Sequence, residues 1–287
     1  MTPQRSVLYM PGSNLRALEK SKTLAADVLI FDLEDAVAPS AKAVAREQVL
    51  AAVQGGGYGY REIVVRVNAR SSRWYSDDMA SFAKCDASAL LVPKVESAIE
   101  ILAIVDDMDA NGSSESMDLW AMAESPRSIL NINEIVDSHS RLKAIVMGTS
   151  DLAKDMRMPH TADRIGFIYA LSHCVTAARA ANINIFDGVH LNIDDDKGFK
   201  TVCKQGRALG FDGKTLIHPG QIAVANSVFS AGPDELAQAK QIMIAWEVAQ
   251  SKNQGVVLVN NKLVEQLHVD EATRTLAVAD LLALREQ

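Results

Sequence analysis

The sequence lacks the features that mark several large classes of protein. Its three cysteines are odd in number and form neither a CxxC pair nor a disulfide scaffold. No apolar run approaches the roughly 18 residues of a transmembrane helix. The N-terminal stretch MTPQRSVLYMPGS lacks the basic segment and long apolar core of a signal peptide. We therefore expect buried thiols, a reducing cytoplasm and no membrane partner.

Basic residues are also fewer than acidic ones, 29 against 36, which gives a formal charge of −7. No stripe rich in Lys and Arg occurs, which argues against nucleic acid as a partner. No GxGxxG follows a predicted strand and no GxSxG is present, so hydride transfer and a serine-hydrolase triad lack support. The 287 residues are nevertheless 48% hydrophobic, which is enough for a large core without disulfides.

Short apolar runs alternate with longer amphipathic stretches along the first two-thirds of the chain. The runs are continuous, which is typical of strands buried on both faces. They lie at residues 6–10, 28–32, 63–67, 89–93, 119–122, 144–147, 183–186 and 214–217. Eight such strands exceed the five to seven of a typical open doubly wound sheet. We therefore predict an α/β fold in which residues 1–230 form a (β/α)8 TIM barrel.

The helices between these strands, and a tail after them, complete the predicted organisation. Asn14 and Ser40 stand at N-cap positions of amphipathic stretches. The breaker cluster Ser230–Pro233 ends the barrel. Residues 231–287 then predict a C-terminal extension with helices over about 234–252 and 269–284. This extension is short for a domain, so we expect it to complete or cover an active site, its own or that of a neighbouring subunit.

Polar residues follow nearly every predicted strand, at positions that line the mouth of a TIM barrel. Glu124 and Asp151 follow strands five and six, and two carboxylates with open water positions suit a hard cation such as Mg²⁺. Arg66 on strand three can hold an oxyanion or a carboxylate bidentately. A guanidinium beside a cation suits carbon–carbon bond making or breaking next to a carbonyl.

Plainer interpretations of the same residues remain open. Asp151 could cap the helix that follows strand six, and Arg66 could form a structural ion pair with Glu34 or Asp35. The loop after strand one, with Arg16 and Lys20 nearby, could hold a phosphate at a helix N-terminus or present a solvated basic face.

Eight motifs over residues 5–222 together resemble the HpcH/HpaI aldolase and citrate lyase β-subunit family. They are RSVLYMPGS…ALEKS, DVLIFDLEDAVAPSAK, IVVRVN, LLVPKVES, AMAESP, MGTSDLAKD, DGVHL and GRALGFDGKTLIHPGQI, in that order. The resemblance implies a (β/α)8 barrel that uses Mg²⁺ and acts on CoA thioesters or related oxo-acids. Within the family, the GTSDLAKD and KLVEQLH forms are most similar to the malyl-CoA lyase and thioesterase branch.

The resemblance also implies roles for individual residues. Glu124 and Asp151 match the Mg²⁺ ligands, and Arg66 matches the substrate-binding arginine. The acidic pair beside that arginine is matched by Glu34 and Asp35. The positions that contact the CoA phosphates are matched by Arg16 and Lys20.

Two departures from the family pattern bear on the reaction. The common GAEDL reads GTSDL here, so Ser150 replaces an acid while Asp151 is kept. In malyl-CoA lyases, a C-terminal GKMID-type motif carries an aspartate that reaches an adjoining active site and handles a proton. Glu265 stands at that position here. Its extra methylene moves the carboxylate by about one carbon–carbon bond, and near-attack geometry is sensitive to about 1 Å.

These observations favour one function and leave three alternatives open. The favoured function is an Mg²⁺-dependent lyase that cleaves a short β-hydroxyacyl-CoA, of the malyl-CoA or citramalyl-CoA type, to an acyl-CoA and an α-keto acid. In it, Arg66, Glu34, Asp35 and Glu265 are the catalytic candidates. The others are a (3S)-malyl-CoA thioesterase, a citrate lyase β subunit acting on a carrier-bound citryl ester, and a non-catalytic CoA-ester binding protein. The extension also predicts a homo-oligomer, a trimer or a hexamer.

Overall fold

A computed structural model describes residues 3–285 and divides the chain into two compact units. The first unit spans Gln4–Phe229, and the second comprises the remaining described residues, with 230–285 as its main part. Within residues 3–285, no helix combines the length and the apolar character that crossing a membrane requires.

The first unit is a closed barrel of eight parallel strands in sequence order, in which β8 pairs with β1. The strands are β1 Ser6–Pro11, β2 Val28–Asp32, β3 Glu62–Arg66, β4 Ala89–Val92, β5 Asp118–Ala123, β6 Leu142–Met147, β7 Asn184–Asp187 and β8 Gly213–Leu216. Each of the eight apolar runs therefore forms a strand, and the predicted TIM-barrel fold is confirmed.

Side chains on the barrel strands alternate between two apolar clusters. One cluster includes Ile30, Trp120 and Phe186, with the two aromatic rings 5.0 Å apart. The other cluster takes the intervening residues, such as Leu29 and Ile185, together with the helices. Because both faces of each strand are buried, the strands appear in the sequence as continuous apolar runs.

Helices follow the strands of the barrel unit. They are α1 Leu15–Ser21, α2 Lys42–Gly55, α3 Tyr75–Phe82, α4 Ala98–Ala110, α5 Pro126–Leu130, α6 Ile132–Val136, α7 Thr149–Met156, α8 Ile168–Ala180, α9 Asp196–Leu209 and α10 Ile222–Phe229. Asn14 caps α1 by accepting from the backbone N–H of Ala17, as predicted. The prediction for Ser40 is wrong: this residue lies inside a 3₁₀ turn, Pro39–Ala41, that precedes α2. Pro39 fixes its own φ in the helical range, and the turn therefore begins one residue before Ser40.

The second unit contains two helices and a hairpin. The elements are α11 Pro233–Ser251, β9 Val257–Val259, β10 Lys262–Val264 and α12 Gln266–Arg285. Asn260 and Asn261 connect the two strands with φ of 50° and 61°, which matches a type I′ turn. The sequence analysis predicted both helices but neither strand of the hairpin. Trp246, Val264 and Val269 contribute to an apolar core within this unit.

Candidate active site at the mouth of the barrel

A buried ion pair between the ends of neighbouring strands fixes Arg66. Arg66 ends β3 and stands opposite Asp32, the last residue of β2. Its Nε and Nη2 donate to the two oxygens of Asp32, each at 2.7 Å, and its guanidinium lies 4.8 Å from the ring of Tyr9. Such a bidentate pair holds the plane of the guanidinium as well as its position. One edge of Arg66 is therefore fixed, and Nη1 lies on the other side.

Asp32 also shapes the loop that carries the acidic pair. Its oxygens accept from the backbone N–H groups of Glu34 at 2.8 Å and Ala36 at 3.0 Å, the pattern by which an aspartate stabilises a turn. Burial opposes ionisation of Asp32, but the charge and hydrogen bonds of Arg66 outweigh it and hold the pKa of Asp32 below its usual value. Asp32 was not among the site residues predicted from the sequence.

The acidic pair lies beside the edge of Arg66 that Asp32 does not contact. Nη1 is 2.9 Å from Oε2 of Glu34 and 3.7 Å from Oδ2 of Asp35. Glu34 is buried and Asp35 is exposed. Burial raises the pKa of Glu34, and the charges of Arg66 and Lys94 oppose that rise. The structural ion pair between Arg66 and Glu34 is therefore present, in addition to the stronger pairing with Asp32.

A second contact network anchors the same loop. The buried ammonium of Lys42 donates to the carbonyl oxygens of Leu33 and Glu34, at 2.6 and 2.7 Å, and to Oδ1 of Asn68 at 2.7 Å. Burial lowers the pKa of Lys42, while Asp32 and the other nearby acids oppose this effect. Lys42 thus joins the loop after β2 to the segment after β3, so it supports both Glu34 and Arg66.

Glu124 follows β5 and is only 3% exposed. Its Oε1 accepts from the backbone N–H of Lys94 at 2.8 Å. Burial raises the pKa of Glu124 to about 8, and the negative charges of Glu34 and Asp151 add to the rise, whereas Arg66 opposes it. A desolvated carboxylate facing other acids favours either a proton or a cation.

Asp151 follows the next strand, β6. It lies in the first turn of α7, whose N-cap is Gly148, so Asp151 is not the cap that the plainer interpretation proposed. A Cβ placed on Gly148 would stand 2.5 Å from Oε2 of Glu124, which shows that this oxygen packs against the start of α7. The two carboxylates therefore follow neighbouring strands, and the charge of Asp151 acts on Glu124.

This donor set fits a magnesium ion. Across residues 3–285 no cluster of three or more His, Cys, Asp and Glu side chains is arranged to hold a metal. A cation between Glu124 and Asp151 would then take its other ligands from water or substrate oxygens. Mg²⁺ is commonly bound in this way, by one or two carboxylates with several waters retained. The same ion would offset both the burial and the repulsion by nearby acids that raise the pKa of Glu124.

The remaining predicted residues lie outside this cluster of contacts. Arg16 and Lys20 are exposed on α1, four residues apart and hence on one face of the helix. Glu265 lies in the second unit, directly before α12, with an exposed side chain. Its backbone N–H donates to Nδ1 of His268 at 3.1 Å. The structure thus places Glu34 and Asp35 against Arg66, and it places Glu124 where the charges of Arg66 and Asp151 act on it. The roles of all eight residues stay predictions.

Carboxylates after neighbouring strands and a fixed guanidinium at the mouth of a TIM barrel are typical of enzymes that act on carbonyl compounds with a divalent cation. The model of the HpcH/HpaI aldolase/citrate lyase family matches residues 5–219 of this sequence. The chain belongs to this family.

Several individual proteins are similar to this chain over nearly its whole length. The chain is 44% identical to a (3S)-malyl-CoA thioesterase of Cereibacter sphaeroides, with 98% of this chain and 96% of the relative aligned. It is 33% identical to the citrate lyase subunit beta of Escherichia coli, over 99% and 96% of the two chains. A crystal structure of the protein CitE from Mycobacterium tuberculosis, in complex with magnesium, acetoacetate and coenzyme A, matches with a TM-score of 0.77 at 25% identity and covers 96% of this chain and 97% of its own.

Proposed function

We propose that this chain is an Mg²⁺-dependent enzyme that hydrolyses the thioester of a short β-hydroxyacyl-CoA of the (3S)-malyl-CoA type. The observation that carries the proposal is the placement of Glu124 and Asp151 after neighbouring strands, with the charge of the fixed Arg66 guanidinium also acting on Glu124. The 44% identity to a (3S)-malyl-CoA thioesterase along nearly the whole chain supports hydrolysis as the reaction.

Binding would use two separate parts of the barrel mouth. Glu124 and Asp151 would hold Mg²⁺, which when bound polarises and orients substrate oxygens. Arg16 and Lys20 on the exposed face of α1 would pair with the CoA phosphates. The CoA complex of the M. tuberculosis relative supports a CoA ester as the substrate class.

Arg66 and the acidic pair would carry the hydrolysis. Nη1 of Arg66 would donate to the thioester carbonyl and stabilise the oxyanion that forms when water attacks. Asp35 is exposed and lies 3.7 Å from that nitrogen, so a water bound to Asp35 would lie close to a carbonyl held by Arg66. Asp35 would accept the proton of the attacking water, and CoA would leave as the thiolate.

Cleavage of the carbon–carbon bond is the second candidate. It is favoured by the family match and by the arrangement of a cation site beside Arg66, which also stabilises a thioester enolate. In that reaction the departing acetyl-CoA enolate needs a proton, for which Glu265 of the second unit is the candidate donor. Glu265 in place of the lyase aspartate is a reason to favour hydrolysis, since its longer side chain displaces the acid.

One assay separates the two reactions. The purified protein is incubated with (3S)-malyl-CoA and Mg²⁺, and free thiol and glyoxylate are measured in parallel. Malate and free CoA without glyoxylate would support hydrolysis, whereas glyoxylate with acetyl-CoA and no free thiol would support the lyase. Turnover that persists unchanged in Glu124→Gln would contradict the role of the cation in either reaction.

A homo-oligomer, a trimer or a hexamer, is part of the same proposal, with the second unit completing or covering an active site. Light scattering coupled to size exclusion would measure the number of chains. A monomer with full activity would contradict this part of the proposal and leave the chemistry of the barrel mouth untouched.

A further inference from the structure

The edge of Arg66 that the proposed reaction needs is already in use. Nη1 lies 2.9 Å from Oε2 of Glu34, and Nε and Nη2 are bound to Asp32. A substrate oxyanion at Nη1 therefore competes with the Glu34 carboxylate. Glu34 is buried, so it cannot simply turn into bulk water when it loses this partner.

A second cation touches the opposite oxygen of the same carboxylate. Nζ of Lys94 is 3.2 Å from Oε1 of Glu34. The Lys94 side chain is 49% exposed, whereas those of Glu34 and Arg66 are each 8% exposed. Arg66 is fixed by its pair with Asp32, and Lys94 has free space around its ammonium. Of the two cations on Glu34, only Lys94 can follow a small shift of the carboxylate.

The backbone of Lys94 holds it in this place. Its φ of 60° lies in the left-handed region, which is uncommon for a lysine and is found preferentially where function requires it. Its N–H donates to Oε1 of Glu124 at 2.8 Å, so the start of the side chain is fixed beside the cation site. One residue thereby contacts both buried glutamates, by its backbone on one side and by its ammonium on the other.

We propose that Lys94 is a positioning residue that takes over the Glu34 carboxylate when a substrate oxyanion occupies Nη1 of Arg66. An unpaired buried carboxylate is strongly unfavourable, so Arg66 is released to the substrate only because a second cation keeps Glu34 paired. The inference rests on the proposed function, because it assumes that Arg66 receives a thioester carbonyl. It adds that Lys94 sets the affinity of the site for that oxygen.

The test is a double-mutant cycle between Lys94 and Glu34. Lys94→Met keeps the aliphatic stem and removes the charge, and Glu34→Gln removes the carboxylate that needs a partner. The readouts are the Kd for acetyl-CoA in the presence of Mg²⁺, by calorimetry, and kcat and KM for (3S)-malyl-CoA. Binding of Mn²⁺, by electron paramagnetic resonance, reports the cation site separately. Lys200→Met, an exposed lysine on α9, is the matched control.

In the parent chain, we expect Lys94→Met to weaken acetyl-CoA binding and to lower kcat/KM by about tenfold or more. In the Glu34→Gln background the same substitution should lower kcat/KM by less than about threefold, because the effects of residues in contact are coupled. Lys94→Gly keeps the backbone N–H and relieves the left-handed strain, so it should bind Mn²⁺ like the parent while losing acetyl-CoA affinity as Lys94→Met does. The Lys200→Met control should leave every readout unchanged.

Equal losses in both backgrounds would overturn the inference, because Lys94 would then act without Glu34. Loss of Mn²⁺ binding in Lys94→Gly would also overturn it, since the ammonium would then serve the cation site. A parent chain that binds acetyl-CoA but does not turn over malyl-CoA contradicts the proposed function alone. A parent chain that neither binds acetyl-CoA nor turns over malyl-CoA contradicts both.

Discussion

A single methyl group at Gly148 should disable the candidate cation site. The Cβ of an alanine there would stand 2.5 Å from Oε2 of Glu124 and closer still to Cβ of the same residue. Ordinary contacts begin near 3.4 Å, so the Glu124 carboxylate must move by about 1 Å, a displacement that can cost about a hundredfold in rate. Because Cβ of Glu124 is attached directly to the barrel backbone, a change of rotamer cannot relieve the clash.

Gly148→Ala should therefore lower Mn²⁺ affinity and kcat by about a hundredfold, with an overpacking cost of about 1–3 kcal/mol in unfolding free energy. Gly55→Ala is the matched control, because a Cβ at this last residue of α2 meets nothing within 4 Å. The unfolding free energy of this variant should be unchanged or should rise by about 0.4–1 kcal/mol. Metal titration, steady-state kinetics and urea unfolding measure these effects. A folded Gly148→Ala protein with parental Mn²⁺ affinity and turnover would refute this account of the Glu124 position.

Three further predictions concern buried ion pairs, the loop that carries Glu34, and the C-terminal extension. The buried carboxylate of Asp187 bonds Arg164 and Lys214, which hold its folded pKa below the unfolded value of about 3.9 despite burial. The stability that the Asp187 ion pairs contribute is therefore present above pH 4 and is lost as the pH falls through the folded pKa. Asp187→Asn should lower the unfolding free energy by about 3–5 kcal/mol at pH 7 and make it fall less steeply as the pH is lowered. An unfolding free energy that falls with pH as steeply as in the parent would contradict this. Lys42→Met should lower the unfolding free energy by about 2–4 kcal/mol and also lower turnover, because three carbonyl oxygens lose a charged donor. A variant that unfolds in urea at the parental midpoint would contradict this. Deleting the residues after Gly255 should lower kcat more than CoA-ester affinity, and intact turnover would show that the extension has no part in catalysis.

The barrel was predictable because its strands are buried on both faces. Continuous apolar runs such as Val28–Asp32 separate clearly from amphipathic helices when both sides of a strand are covered. The hairpin in the second unit was harder, since Val257–Val259 and Lys262–Val264 are only three residues each. Its turn is Asn-Asn, and the usual signal for a type I′ turn is Asn-Gly.

The sequence predicted that Glu124, Asp151 and Arg66 lie at strand ends of the barrel, but it did not predict the residues that hold Arg66 in place. Glu124, Asp151 and Arg66 stand where strand ends meet in any TIM barrel, so the fold alone brings them to one mouth. The pairing of Arg66 with Asp32 joins residues 34 positions apart and depends on the register of two strands. The left-handed backbone of Lys94 has no sequence signal, because lysine has no preference for that region.

The central claim is that Glu124 and Asp151 together hold one divalent cation beside Arg66. Titration with Mn²⁺, followed by electron paramagnetic resonance on the parent chain, Glu124→Gln and Asp151→Asn, tests it most directly. The account predicts one ion per parent chain and a loss of affinity of at least about tenfold in each variant, since each removes one of only two protein carboxylates. Parental Mn²⁺ affinity in both variants would contradict it.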